Sequence, residues 1–399
     1  MTEKMNSRTN KEIQDMIFAI HDSPYRIVLT ITGGGTEAIG ELLRHGRGSD
    51  TILEAIIPYS REALIDLIGK EPQRYASMDT AKEMAMAAYM RALYLDPNAE
   101  DQKDRELIGI GVTCKLARTT NEREGREHEI HFAYQSYDRT GVSSVLLKDI
   151  TSREEQEKAV AEHIIEKIYM ICHYGRIDGQ RALSNMTMEN SVESEIKAHE
   201  AVAELLLRTL KNINSGQRIE PLKVDMGISN NRTRVVLSGS FNPFHKNHFE
   251  MIRIASERIN GPVDLEISLA NVDKPPIDHI SLDSRVSSIM ENYDGRYMGN
   301  IYLTNAPLFA DKAILFPGSV FIIGMDTLNR LFNIKYYRKD ENTDELIEHF
   351  REYGIRFMVF QRKGSEVSEN IDIPDICEIV PLETYMDDGT SSTLIREQN

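Results

Sequence analysis

At 399 residues and 41% hydrophobic content, the chain is long enough for two domains with separate cores. A net charge of −16 argues against a nucleic-acid binder and against an anionic membrane surface as partner, with a local basic cleft still open. Cys114, Cys172 and Cys377 are odd in number and form no CxxC pair, which points to reduced thiols, not a disulfide frame or zinc site. The first twenty residues carry acidic side chains and lack an apolar core, so no secretory signal is expected. No apolar run approaches membrane-spanning length, and a cytoplasmic protein is the expectation.

In chain order, residues 1–24 read as an N-terminal extension. From Tyr25, "RIVLTIT" predicts a strand and "EAIGELLRH" the helix after a glycine turn. "DTAKEMAMAAYMRALYL" predicts a long helix, "ELIGIGVTCKLA" a buried strand, and "HEIHFAYQSYD" an alternating strand. "SREEQEKAVAEHIIEKIYMICH" closes this first α/β domain, residues 25–180, as an amphipathic helix. The stretch from Gly175 to about Arg232 is polar at both ends, with "SEIKAHEAVAELLLRTLKN" as a helix between them. A linker over 181–232 is therefore expected, followed by a second domain over 233–399.

In that second domain, "RVVLSGS", "VDLEISLAN", "NIYLTN", "SVFIIGM", "IRFMVFQR" and "CEIVPLE" predict strands, most of them separated by helical text. Apolar strands alternating with helices imply an α/β fold with a parallel sheet covered on both faces. Such a fold binds its ligand beyond the carboxyl ends of the strands, where the strand order reverses.

Three motifs fall just after those strands. In "SGSFNPFHKNH", Gly239 and Ser240 end a strand, Asn242-Pro243 forces a turn, and a helix is expected from near His245. His245 and His248 are three apart and share one side of its first turn, beside amides that favour phosphate. A helix cap with two surface histidines is the plainer account. In "FIIGMDTLNRLF", Gly324 ends a strand, and Asp326 is either a ribose-hydroxyl acceptor or an ordinary acid at a helix start. In "DGTSSTLIR", Ser391, Ser392 and Thr393 open another helix with Arg396 one turn on, as a second phosphate clamp or as an N-cap beside a solvated Arg.

Together these motifs resemble the nicotinamide/nicotinate mononucleotide adenylyltransferase family of the HxGH nucleotidyltransferase superfamily. "GSFNPFHKNH" is similar to its GSFNPxHxGH signature, "IIGMDTL" to its GxDxL stretch, "VFQRKG" to its late strand, and "SSTLIR" to its SSTxIR signature. The departure is Asn247, where Gly is usual. The resemblance implies a Rossmann-like fold and transfer of the AMP moiety of ATP to nicotinamide or nicotinate mononucleotide, with Mg²⁺ travelling with the ATP. It implies that His245 and His248 steady the α/β phosphates, and that Ser392, Thr393 and Arg396 hold the β/γ end. Gly239, Ser240, Phe241 and Asn242 would line the nucleotide, Gly324 and Asp326 the ribose. Lys274 in "NVDKPPIDH" either reaches a substrate phosphate or is a surface lysine. The chain has no Trp, so a ring stacked on the pyridine must be Phe or Tyr. Another phosphorylated acceptor, or nucleotide binding without catalysis, stays open, as does a homo-oligomer.

The first half, from about Tyr25 to Tyr174, resembles the C-terminal domain of the CinA (competence/damage-inducible) proteins, which includes nicotinamide mononucleotide deamidases. The resemblance rests on "TITGGGTEAIGELLRH", "AIIPYSREALIDLIG", "SMDTAKEMAMAAYM" and "IGIGVTCKLA". Where that family carries ESCTGG this chain has Thr30 in place of the Ser, its YSxxxK lysine falls on Leu64, and its TGxAGP has become "TCKLART". A hydroxyl nucleophile needs a neighbouring base, so a non-catalytic first domain is expected. Gly33 to Gly35 form a tight turn or wrap a phosphate, and without GK[ST] they are not a Walker loop. His128 and His131, three apart on a strand, face opposite ways, and no metal site is expected.

Overall fold

The computed structural model describes residues 10–96, 106–118, 126–148, 152–177, 192–212, 219–224, 226, 234–271, 275–332, 342–361, 373–384, 389–392 and 394–395. The chain divides into two units, Met1–Glu204 with Asp273–Ile280, and Leu205–Val272 with Ser281–Asn399. Both are α/β, each built on one sheet.

The first unit runs α1 (Asn10–His21), β1 (Arg26–Thr32), α2 (Glu37–Arg44), α3 (Gly48–Thr51), β2 (Ile52–Ile56), α4 (Arg61–Ile68) and α5 (Met78–Leu95). It continues through β3 (Leu107–Lys115), β4 (Glu129–Gln135), β5 (Arg139–Leu146), α6 (Arg153–Tyr174) and β6 (Val192–Lys197). Its six-stranded sheet has the order β2-β1-β3-β4-β5-β6. β2, β1 and β3 are parallel, whereas β4, β5 and β6 join as antiparallel neighbours. Ser60, Ser77 and Ser152 cap α4, α5 and α6 by accepting a backbone N–H three residues on. One core face joins Ile27, Leu29 and Ile31 of β1 to Ile110 and Val112 of β3 and to Val160, Ile164 and Ile168 of α6. Ile13, Ile17 and Ile20 of α1 lie in the same cluster, spaced four and three apart on one helix face. Part of the segment read from sequence as an extension thus belongs to the core.

α7 (Glu200–Asn212) spans the division between the units. The second unit then runs β7 (Leu222–Val224), β8 (Val235–Ser238), α8 (Lys246–Ile259), β9 (Val263–Ser268), α9 (His279–Met290), which begins in the first unit's inserted segment, and β10 (Met298–Thr304). It ends with α10 (Phe309–Leu315), β11 (Val320–Gly324), α11 (Met325–Leu331), α12 (Thr343–Glu352), β12 (Arg356–Phe360) and β13 (Cys377–Val380). Every strand expected in this half is present. Its sheet has the order β13-β12-β11-β8-β9-β10-β7, parallel throughout except for the edge strand β7. Phe321 and Ile323 of β11 and Phe357 and Val359 of β12, at strand period two, pack against Ala310, Leu328 and Phe350 of the covering helices.

The stretch expected to be a linker differs from its reading. "SEIK" is not helical: it lies in β6, which pairs with β5, and β7 pairs with β10. Glu195 explains the override of helix propensity. Its carboxylate accepts Tyr134 Oη at 2.6 Å, Arg139 at 2.8 Å and the Ile177 N–H at 2.8 Å, contacts available only to an extended strand at that edge.

Candidate functional site

The strand order of the second unit reverses at β8. The chain steps from β8 to β9 on one side, and returns on the other side with β11, whose Ile322 lies beside Leu237. In a parallel sheet that reversal opens a crevice past the strand ends. Gly239 to His248 come directly after β8, and Gly324 ends β11 with Asp326 two residues on, so two of the three motifs flank it.

The turn after β8 is set by an aromatic ring. Phe241 is fully buried at φ +43°, and its ring lies so close to Gly239 that a Cβ there would meet it at 2.9 Å. Only glycine fits under that ring. Phe241 and Phe244 pack at 5.8 Å and wall the His248 imidazole at 5.2 and 5.4 Å. His245, in extended conformation, is the N-cap of α8, and its ring stacks on His248 at 3.7 Å. The His245 N–H donates to His248 Nδ1 at 3.2 Å, so this nitrogen carries no proton and the ring hydrogen sits on Nε2. His248 is half-buried and Ser240 exposed. The Phe244 N–H donates to Ser288 Oγ at 2.9 Å, which fixes the loop from the α9 side.

The third motif comes to the first. Asn247, 2% exposed, donates from Nδ2 to the Thr390 carbonyl at 3.0 Å, and Ser392 Oγ donates to the Pro243 carbonyl at 2.9 Å. Asn247, where glycine was the expectation of the family pattern, is thus a tie between the two motifs. The Ser392 hydroxyl proton is turned to the protein. Ser391 opens the short helix by accepting the Leu394 N–H at 3.2 Å. Gly324 caps α11, and Asp326 is exposed in its first turn. Asn242 precedes Pro243 in the turn. Lys274, Thr393 and Arg396 lie outside the described residues. Among the described residues no group of three or more His, Cys, Asp and Glu side chains could hold a metal ion. No described helix is long and apolar enough to cross a membrane.

One group missed at the sequence level is Glu266, a buried carboxylate in "VDLEISLA" that accepts Ser238 Oγ. Its signal was an acid inside an otherwise apolar strand, which also carries Asp264. Its partner Lys312 had none.

The corresponding positions of the first unit are closed. Thr30 is fully buried and its hydroxyl donates to the Ile110 carbonyl at 2.8 Å, while Leu64 packs with Ile68 and Met84. Glu157 accepts the Gly35 N–H, and Arg153 donates to that same carboxylate at 2.6 Å and to the Gly33 carbonyl at 3.0 Å. The phosphate alternative for this turn therefore yields to the structural one, because the protein's own anion occupies the amide. His131 Nδ1 meets Ser144 Oγ at 2.6 Å, and burial outweighs Glu129 in holding its pKa below the usual value. His128 Nδ1 meets Gln156 at 2.9 Å. Burial pushes the Cys114 thiol up, as expected of an inert core cysteine.

No family model matches the chain, and no curated protein matches it. Among solved structures, it is similar to the competence/damage inducible protein CihA from Agrobacterium tumefaciens, at 16% identity over 41% of this chain and 96% of that one, TM-score 0.32. The CinA superfamily protein KP700603 from Klebsiella pneumoniae 700603 matches at 10% identity over 42% and 99%, TM-score 0.32. The CinA superfamily protein from Enterobacter cloacae matches at 16% identity over 42% and 98%, TM-score 0.30. A likeness at this level records partial similarity and carries nothing about chemistry.

Proposed function

We propose that the second unit is a nucleotidyltransferase that joins the AMP moiety of ATP to nicotinamide or nicotinate mononucleotide and releases pyrophosphate. The observation that carries this reading is the docking of Ser392 on Pro243 and of Asn247 on Thr390, which joins two phosphate-type motifs where the strand order reverses. A 5′-phosphate oxygen of the mononucleotide attacks Pα of ATP; that P–O bond forms as the bond from Pα to the bridging oxygen breaks, and pyrophosphate leaves with the electron pair. Such transfer depends on alignment and charge stabilisation. His248 supplies a hydrogen-bond donor at Nε2, fixed in direction by the His245 N–H on its other nitrogen. The ring of His245 lies beside it, and the α8 N-terminus favours the anion.

In this reading Gly239, Ser240, Phe241 and Asn242 line the nucleotide, Gly324 and Asp326 the ribose. Lys274, Thr393 and Arg396 keep the phosphate-holding roles their motifs imply, and Mg²⁺ arrives with ATP. The first unit, with Thr30 buried and Leu64 in place of a base, serves no hydrolysis. The test incubates the full chain with ATP and each mononucleotide and identifies products by mass. A dinucleotide and pyrophosphate from one of them, lost in His248→Ala, is the expected result. Transfer only to another phosphorylated acceptor, or ATP binding without product, would overturn it.

A further inference from the structure

A carboxylate and an ammonium are sealed inside the second unit behind the β8 turn. Glu266 on β9 is 0% exposed and Lys312 on α10 is 4% exposed. Lys312 Nζ donates to both Glu266 oxygens and to the Ala306 carbonyl, each at 2.8 Å. The carboxylate accepts two further bonds, from Ser238 Oγ and Thr304 Oγ1, each at 2.5 Å. Thr304 Oγ1 in turn accepts the Ala306 N–H at 3.2 Å, and the Glu266 carbonyl accepts the Gly239 N–H at 3.1 Å. Ser238 ends β8, Thr304 ends β10, and Glu266 lies near the end of β9, so one charged node gathers the exits of three neighbouring strands.

Stability does not explain such a node. Taking both charges out of water offsets most of their attraction, and apolar residues of similar volume commonly do as well. What apolar residues lack is direction. Four bonds converging on one carboxylate fix where Ser238 leaves the sheet, the Glu266 carbonyl holds the Gly239 N–H, and the turn that carries His245 and His248 starts from that exit. We propose that Glu266, locked by Lys312, is a positioning residue: through Ser238 and Gly239 it sets the Gly239–Phe241 turn and thereby the placement of the two imidazoles. The catalytic half of this claim rests on the nucleotidyltransferase function proposed for the second unit, and the geometric half does not.

The test uses the full chain and three variants: the charge-free double variant Glu266→Leu/Lys312→Met, Ser238→Ala, and Ser238→Thr, which keeps the hydroxyl. Melting temperature, steady-state dinucleotide synthesis and hydrogen exchange over residues 239–249 are measured for each. The double variant is expected to melt close to the wild type, to exchange faster in that segment, and to lose about ten- to a hundredfold in kcat with a smaller change in the KM for ATP. Ser238→Ala is expected to move exchange and kcat the same way, and Ser238→Thr to restore both. Wild-type exchange and kcat in a folded double variant would overturn the proposal. If the double variant fails to fold, the Ser238 pair decides by the same criterion: equal behaviour of Ala, Thr and wild type overturns it. Should the wild type form no dinucleotide, the functional reading falls by itself, and segmental exchange alone decides the positioning claim.

Discussion

After β1 and after β8 alike, a buried strand runs through a glycine-containing turn towards a helix, and the two turns are built differently. After β1, Gly33 sits at φ +82° with Cys114 O only 2.1 Å from where a Cβ would be, and Glu157 and Arg153 bond the turn's own polar groups. After β8, Gly239 is pressed by the Phe241 ring, and the turn leads into a helix start bearing two stacked imidazoles, one half-buried, beside an exposed Ser240. A glycine turn after a strand is therefore no sign of a ligand by itself. The two differ in what packs the turn: a carboxylate and a guanidinium of the chain bond the first, and the Phe241 ring presses on the second.

The sharpest way to break this contrast is His248→Ala. Loss of a preoriented donor to a transferring phosphoryl group is expected to lower kcat about a thousandfold, near 4 kcal/mol, with the melting temperature little changed. Pyrophosphate release within tenfold of wild type would remove His248 from the site. Next comes Gly33→Ala in the other turn. The Cβ would run into backbone oxygen at a left-handed φ, so a cost of about 2–3 kcal/mol is expected, read as a lower thermal midpoint. An unchanged midpoint would mean that this turn is not packed as described.

The contrast also explains what the sequence made legible. The second-unit strands are apolar runs with turn residues at their ends, so their positions could be read, as could the two histidines on one helical turn. Their neighbours across the sheet could not: that β8 lies between β9 and β11 depends on packing, and the bond from Ser392 to Pro243 joins residues 149 apart in sequence. β6 was misread because its charged residues carry helix propensity, and its ladder with β5 and the partners of Glu195, which make it an edge strand, are not visible in sequence. The Ile13, Ile17 and Ile20 spacing of α1 was visible, yet a polar beginning masked it. Asn247 stood out as a departure, and its reason, the Thr390 carbonyl, became apparent only in three dimensions.

That bond also supplies a milder test of the second turn. Asn247→Ala with Ser392→Ala removes both ties between the two motifs, at about 1 kcal/mol of stability each. If the ties align the phosphate-holding segments, kcat/KM should fall about ten- to a hundredfold, with each single variant losing less. A double variant with wild-type kcat/KM would show that the motifs need no such docking.

The smallest expected effect concerns a buried imidazole of the first unit, His279. His279 is 2% exposed; its backbone N–H donates to Thr140 Oγ1 at 3.0 Å and its Nε2 to the Tyr137 carbonyl at 3.1 Å. Burial holds its pKa below the ordinary 6.5, against the opposing pull of the Tyr137 bond, Asp278 and Asp138. A depressed pKa means that the folded state prefers the neutral ring. The corresponding stability is fully present above pH 6.5 and is lost as pH falls through the folded value. Urea midpoints measured at pH 7, 6 and 5 should therefore fall, with a slope of at most about 1.4 kcal/mol per pH unit for this one proton. His279→Gln removes the proton but keeps an amide able to meet the Tyr137 carbonyl, so it should flatten the decline, leaving the share due to His131, which burial also depresses. An undiminished slope in that variant would show that the buried ring is not the linked group. It would also weaken the view that the first unit's polar side chains are spent on its own fold.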